Sequence, residues 1–435
     1  MNSRFAVRPA ALATAALLAA VNLAAAQQTA APRSVTLREA IVLAHRNNPV
    51  TVGAEGAVEV AEADRLQSMG AFLPSLSVSS SYSNSSNERF DQSTGRLVST
   101  SYTAQTQATY DLFTAGRRFV SYRSARAAVD AADASLREAQ YRTALETTTV
   151  FFSAAAASEL VVVANQRLER ARQQLDFAST RLEVGTATRS DVLRAELELG
   201  NAEMAVIDAE SALRSSRLSL GRQIGVGGEV QPAGPALPDS PPPLPGADSL
   251  AVLAQQTSPL VASARAAHTE AKAERLSAYT FYLPTLRLVG GYDWFSPTYP
   301  PSNQSWSLRL TASLPVFNGF QREATLSRTA AAERTAEARA RDAALNAAAS
   351  AIDAAQQVES AGRRVAIARR AVELAQEDLR VQEERYQIGV ATILELQTSQ
   401  VALAEAEAGF VNARQQLGVA LATLEAVLGE SITTD

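Results

Sequence analysis

Residues 71–83 read "AFLPSLSVSSSYS", and they interrupt a chain that is otherwise patterned as long, alanine-rich helix. After Pro74 the period drops to two: Leu76, Val78, Ser80 and Tyr82 alternate with Ser77, Ser79 and Ser81. The residue before a proline is pushed out of helical geometry, so Leu73-Pro74 marks a helix end and a strand start. The same sentence is written again at residues 281–294, "FYLPTLRLVGGYDW", with Leu283-Pro284 followed by alternation and an aromatic. A switch of period that occurs twice points to a duplicated chain in which helices feed strands.

Working outward, the composition favours long helical pairs over a compact globule. Of the 435 residues, 46% are hydrophobic but only 6% aromatic, and alanine is interleaved with Arg, Glu and Gln over long stretches. The formal charge of -5 becomes more negative by two once Arg4 and Arg8 are removed with a leader, which argues against nucleic-acid partners. There is no cysteine, which excludes disulfides and thiolate metal sites. Arg4 and Arg8 precede an Ala/Leu-rich run, and "AAA" at 24–26 offers small residues for cleavage, so residues 1–26 read as a secretory signal peptide. Beyond residue 30 no run of about 18 uncharged apolar residues is evident, so no spanning helix is expected. An exported chain of this kind is either soluble outside the inner membrane or crosses an outer membrane as strands.

Aligning the copies sets the domain organisation. "LPSL" at 73 matches "LPTL" at 283 at an offset of 210, while "RLEVGTATRSDVL" (181–193) matches "RYQIGVATILEL" (385–396) at 204, so one connecting loop is six residues shorter. The first repeat occupies 27–228 and the second 248–430. The proline-rich segment 229–247 is expected to be an extended linker, and 431–435 a tail. Each copy should carry a helix of about 35 residues, two strands, a helix of nearly 70, a tight turn and another helix of about 35. At roughly 1.5 Å per residue the long helix spans about 100 Å and each short one about 50 Å, so two short helices can stack beside a long one.

Heptads support that packing. Val161, Leu168, Leu175 and Leu182 recur every seven residues, as do Val365, Val372, Leu379 and Tyr386; the partner seams run Val192, Leu199, Val206, Leu213, Leu220 and Leu396, Leu403, Phe410, Leu417, Leu424. A second row, Ile367, Leu374, Val381 and Ile388, lies on another side of the same long helix and hints at a neighbour beyond the pair. Thr36 with Glu39 has capping-box spacing, Thr114 and Asn318 stand where the long helices should start, and Gly185 and Gly389 sit where they should stop.

The expected strands, about 75–83, 101–113, 285–294 and 306–316, are long enough to cross a bilayer at a tilt. In "WSLRLTASL" (306–314), Trp306, Leu308, Leu310, Ala312 and Leu314 oppose Ser307, Arg309, Thr311 and Ser313. Tyr82, Tyr102, Trp294 and Trp306 fall where a membrane barrel carries its aromatic girdle. The polar stretches "SNSSNERFDQSTGRLV" and "FSPTYPPSNQS" read as exposed loops. A soluble hairpin packed on a core is the competing reading, but a coiled coil offers no broad apolar face to a sheet. Four strands cannot close a barrel alone, because open edges in lipid leave backbone groups unpaired at a cost of several kcal/mol each. Other copies must therefore complete it, two giving eight strands and three giving twelve. On these strands Asp111, Arg287, Asp293 and Arg309 are expected to face the lumen.

By its duplicated halves, the "LPSL" and "LPTL" strand starts, "DLFTAG" and "PVFNG" at the strand ends, and the "VGTATRSDVL" and "IGVAT" turns, the chain resembles the TolC-type outer-membrane efflux channels. The resemblance implies a mainly α fold with a transmembrane β part: long coiled-coil helices forming an α-barrel tunnel, joined to a homotrimeric 12-stranded β-barrel with four strands per protomer. It implies residence in the bacterial outer membrane with a large periplasmic part. The implied partners are outer-membrane lipid, a periplasmic adaptor (membrane fusion protein) and an inner-membrane pump of resistance-nodulation-division, ABC or major facilitator type. Ser190, Asp191, Tyr386 and Glu395 match the periplasmic gate, with Tyr386 and Asp191 as hydrogen-bonded partners. The adaptor-contacting tips are Val184, Gly185, Thr186, Ile388, Gly389 and Val390. The pattern departs from the family's better-known member at Ala391, where an arginine is expected, and at Thr398, where an acid is. Thr188 with Asp191 and Thr392 with Glu395 also have capping-box spacing, so these acids have a structural explanation beside the gating one.

Enzyme chemistry finds no foothold. His45 and His268, the only histidines, read as plain helix-surface residues without a ligand set, and no phosphate loop or nucleophile elbow occurs. No cofactor and no metal is expected. The function expected is that of a passive exit duct for small molecules or proteins in a tripartite efflux or type I secretion system. The alternative is a periplasmic coiled-coil adaptor or scaffold without a membrane barrel.

Overall fold

A computed structural model describes residues 33–91, 95–234 and 237–430; the expected leader and tail lie outside them. In chain order the elements are β1 (Arg33–Val35), α1 (Leu37–Asn47), α2 (Pro49–Gly70), β2 (Ser75–Asp91), β3 (Arg96–Phe113), α3 (Arg117–Glu183), α4 (Arg189–Gln223), β4 (Val230–Pro232), α5 (Ala247–Thr257), α6 (Pro259–Tyr279), β5 (Thr285–Ser296), β6 (Asn303–Ser313), α7 (Gln321–Gln387) and α8 (Ile393–Leu428). Both long helices have 67 residues. The helix of about 35 residues expected at the start of each copy is instead two helices, broken before Pro49 and Pro259. Each proline has no N–H to give and opens the second helix at its first turn. Asn48 caps that start, accepting from the Val50 N–H at 2.9 Å. Contacts divide the chain into two units.

One unit holds the residues up to Leu43 with Val150–Leu237 and Ala371–Gln415. Its core is the predicted heptad seam. Leu168, Ala171 and Ala202 are buried with Leu199 and Val206 against them. Further along, Ala178, Ala195, Leu379, Tyr386, Leu396 and Leu403 form one cluster. The alanines let backbones approach, and each buried leucine contributes roughly 2 kcal/mol. The second row behaves differently: Ile367 in the other unit and Leu374 and Ile388 here are 71%, 56% and 75% exposed. The segment expected to be an extended linker begins attached, since β4 pairs in parallel with β1 and Leu237 is buried against Ala155, Ala156 and Val411. Ahead of it Gly221 meets the returning chain so closely that a Cβ would stand 2.2 Å from the Gly228 carbonyl oxygen. Contrary to expectation, α3 does contain an 18-residue window apolar enough to span a membrane. Its apolarity has a local cause, because Phe151 and Ala154–Ala157 are the residues that pack in this core.

The other unit holds Ala44–Thr149, Pro238–Arg370 and the residues from Gln416. It contains a four-stranded antiparallel sheet in the order β2-β3-β5-β6. Strands β2 and β3 run 17 and 18 residues, well past the expected ends, so half of the stretch taken for a loop is paired, with a register shift between Asn84 and Arg89. Alternation is silent there because both faces are polar, yet the backbone still pairs. Strand β6 covers Asn303–Ser313 and stops before Pro315, which cannot donate to a ladder. The long helices start three residues after Thr114 and Asn318. Among the described residues neither side chain makes a cap bond, and left-handed residues, Ala115 and Gly116 in one copy and Gly319 and Phe320 in the other, make the turn instead. His45 is not a plain surface residue, for its Nε2 lies 3.0 Å from the Gln140 carbonyl oxygen. A motif absent from the sequence reading also repeats here. Arg118 lies over Phe72 (6.0 Å), and Arg322 lies over Tyr282 (4.8 Å), tying each long helix to the aromatic that precedes the Leu-Pro pair.

Candidate functional site: the helix turns and the strand faces

The α3–α4 and α7–α8 turns are superposable in chemistry. Gly185 and Gly389 both take φ 78°, a left-handed value that favours glycine. Thr186 donates its N–H to the Arg181 carbonyl at 2.8 Å, and Val390 donates to the Arg385 carbonyl at 2.9 Å. Each following helix opens with a complete capping box. The Thr188 N–H and hydroxyl reach Asp191 Oδ2 at 2.9 and 2.8 Å, and the Asp191 N–H returns to Thr188 Oγ1 at 3.3 Å. The Thr392 N–H and hydroxyl reach Glu395 Oε2 at 2.7 and 3.0 Å, with the Glu395 N–H on Thr392 Oγ1 at 3.3 Å. These bonds from the backbone and hydroxyl of Thr392 hold the Glu395 carboxyl below the ordinary value of 4.5.

Of the matched gate positions, Ser190 and Glu395 are exposed and Asp191 is half-buried. Tyr386 is only 6% exposed and packs in the seam. Burial raises its phenol above 10.0, with Arg181 opposing the rise and Asp191 adding to it. Tyr386 and Asp191 are thus neighbours, but no hydrogen bond joins them among the described residues; the Asp191 carboxylate is engaged by its own cap. Beside the Tyr386 ring is a polar cavity of about 230 Å3, lined by Arg170, Gln174, Phe177, Glu383 and Gln400 as well as Tyr386 itself. Burial pushes the Glu383 carboxyl upward, against the pull of Arg170. At the tips Val184, Ile388 and Val390 are 69%, 75% and 64% exposed, with Gly185, Thr186 and Gly389 exposed between them. Ala391, where the resemblance would place an arginine, is buried in the seam cluster.

Register places the four charged strand positions on one face. Asp111 is paired with Arg287, Gln105 with Asp293 and Val289 with Arg309, and steps of two along each strand connect them. Arg287 Nε donates to Asp111 Oδ1 at 2.7 Å. The opposite face carries the rows Leu76, Ala108, Gly290, Leu308 and Val78, Thr106, Tyr292, Trp306. Leu76, Val78, Trp306 and Leu308 are exposed by 66% or more. Aromatic rings gather toward one end of the sheet, with Tyr82 4.9 Å from Tyr102, Tyr102 5.8 Å from Tyr299 and Tyr292 4.6 Å from Trp294. Both outer strands, β2 and β6, have an unpaired edge.

The sequence reading missed Arg181, Gln174 and Arg170. Its own alignment held a pointer to the first, since "RLEVG" and "RYQIG" place an arginine four residues before each turn glycine.

The family model for outer membrane efflux proteins matches residues 40–226 and 250–430. Protein CyaE of Bordetella pertussis is 28% identical over 221 residues, covering 48% of this chain and 46% of that protein. The fusaric acid resistance protein FusA of Burkholderia cepacia is 28% identical over 176 residues, 38% of this chain and 33% of that one. The chain thus spans less than half the length of these curated relatives. Among solved structures, the VceC outer membrane protein of Vibrio cholerae superposes with a TM-score of 0.74 at 17% identity over 91% of this chain and 97% of that one. The open-state MtrE outer membrane channel of Neisseria gonorrhoeae gives 0.75 at 21% identity over 91% and 89%. These likenesses show the fold: long helices forming an α-barrel joined to strands of a β-barrel. With both halves matched by one model, the chain belongs to the outer membrane efflux protein family.

Proposed function

We propose that three copies of this chain assemble into an outer-membrane exit duct of a tripartite efflux or secretion system, through which cargo leaves without energy input at the channel. The observation that carries this reading is the sheet: two unpaired edges, one apolar face exposed and the charged residues gathered on the other. Strands alternate in direction, so β6 of one copy can pair with β2 of the next in antiparallel fashion, and lipid forbids leaving either edge open. Asp111, Arg287, Asp293 and Arg309 then line the lumen. The exposed row Ile367, Leu374 and Ile388 supplies a second seam for a neighbouring copy.

The turns form the periplasmic end. Ser190, Asp191, Tyr386 and Glu395 ring the entrance, and Val184, Gly185, Thr186, Ile388, Gly389 and Val390 present the apolar tips to a periplasmic adaptor coupled to an inner-membrane pump of resistance-nodulation-division, ABC or major facilitator type. The test is single-channel conductance in planar bilayers, where the protein should conduct. A protein that stays soluble and never conducts would instead be the periplasmic scaffold.

A further inference from the structure

Tyr386 is held from the other half of the chain. Arg181 donates through Nη1 to the Tyr386 carbonyl oxygen at 2.7 Å. Its guanidinium carbon lies 5.1 Å from the Tyr386 ring centroid and 5.8 Å from that of Phe177. The two rings are themselves 5.7 Å apart. At its other end the residue belongs to the first turn: its carbonyl accepts the N–H groups of Thr186 and Ala187 at 2.8 and 3.2 Å, and its Nε donates to Thr186 Oγ1 at 3.4 Å. One side chain therefore bonds both turns. A planar guanidinium can donate in its plane while stacking on a ring with its face, and an ammonium cannot do both.

The duplicated frame supplies an internal control. The repeat mate of Arg181 is Arg385, yet among the described residues the Arg385 side chain donates only to Gln382 Oε1, at 3.2 Å on its own helix. The residue standing where Tyr386 would be in the first copy is Leu182, 38% exposed, which offers no ring. Ala391, where the resemblance would place a further cation in the second turn, packs among Tyr386, Ile393 and Leu396.

We propose that Arg181 is a positioning residue that couples the two turns of one protomer, so that they move as one body and the Tyr386 ring stays in the seam. The functional consequence rests on reading the turns as the closable end of a duct; the coupling itself does not. The chain has no cysteine, so Val184→Cys and Val390→Cys can carry a pair of spin labels, one on each turn, in the full-length protein in lipid. Pulsed electron–electron resonance should give a narrow distance distribution in that background. It should broaden with Arg181→Ala, broaden less with Arg181→Lys, and stay narrow with Tyr386→Phe, because the clasp uses the ring and the carbonyl and not the hydroxyl. In bilayers, open probability should rise on the order of tenfold in Arg181→Ala. A broadened distribution in a protein that never conducts would keep the coupling and remove the duct. An unchanged distribution in Arg181→Ala overturns the proposal. Should that variant fail to fold, Arg181→Lys decides alone: a distribution like the unsubstituted one overturns it, and a broader one supports it.

Discussion

Arg181 with Leu182 and Arg385 with Tyr386 occupy equivalent places in two turns whose backbones agree to the same left-handed glycine, the same carbonyl acceptors and the same capping box. Only one of the two arginines leaves its own helix. The ring is one visible difference, a tyrosine against a leucine, and it shows what duplication preserves and what it releases. Hydrogen-bonded frame is kept in both copies because every turn must satisfy its orphan backbone groups. Contacts reaching across the copies are free to diverge, and the unpaired features that make a site are found there.

The comparison can be broken most forcefully in the cores. Leu220 and Leu424 are repeat mates, each fully buried. Leu220→Ala and Leu424→Ala should each cost about 2–5 kcal/mol, read from denaturant unfolding, and by similar amounts. Strongly unequal losses would mean that the two copies do not share a packing plan. A smaller effect belongs to the caps. Thr188→Ala and Thr392→Ala should each lose about 1 kcal/mol, with faster amide exchange confined to the first turn of α4 or α8. Loss at one turn and none at the other would end their chemical equivalence.

The smallest expected effect is a pH response. The folded Glu395 carboxyl titrates below 4.5, so the stability it lends is full above that value and fades as pH falls through the lowered one. Amide protection factors at the start of α8 should fall on acidification below about 4.5 in the native protein, and Glu395→Ala should show that lower protection at all pH values. An acid-insensitive α8 start would show that its cap does not depend on the carboxylate.

Much of the frame was legible because period and punctuation are local properties. The heptads of α3 and α7, the Leu-Pro junctions and the Thr-x-x-acid boxes each name their structure within a few residues. The extra length of β2 and β3 was not, because strands wet on both faces carry no alternation. The attachment of the 229–247 segment was hidden as well, since proline content records the absence of helix and says nothing of what the chain lies against. At the turns, matching the copies brought out Tyr386 and Asp191, which are neighbours, but among the described residues the hydrogen bond expected between them is replaced by the Asp191 cap. The partner that does hold Tyr386, Arg181, is 205 residues away in sequence, a separation no local pattern spans.

On the proposed reading one chain supplies two hairpins whose open edges are closed by other copies. Native mass measurement of the full-length protein extracted from outer membranes tests it most directly. Three chain masses in a particle that conducts when returned to a bilayer is the predicted result, and a stable single-chain species in lipid would contradict it.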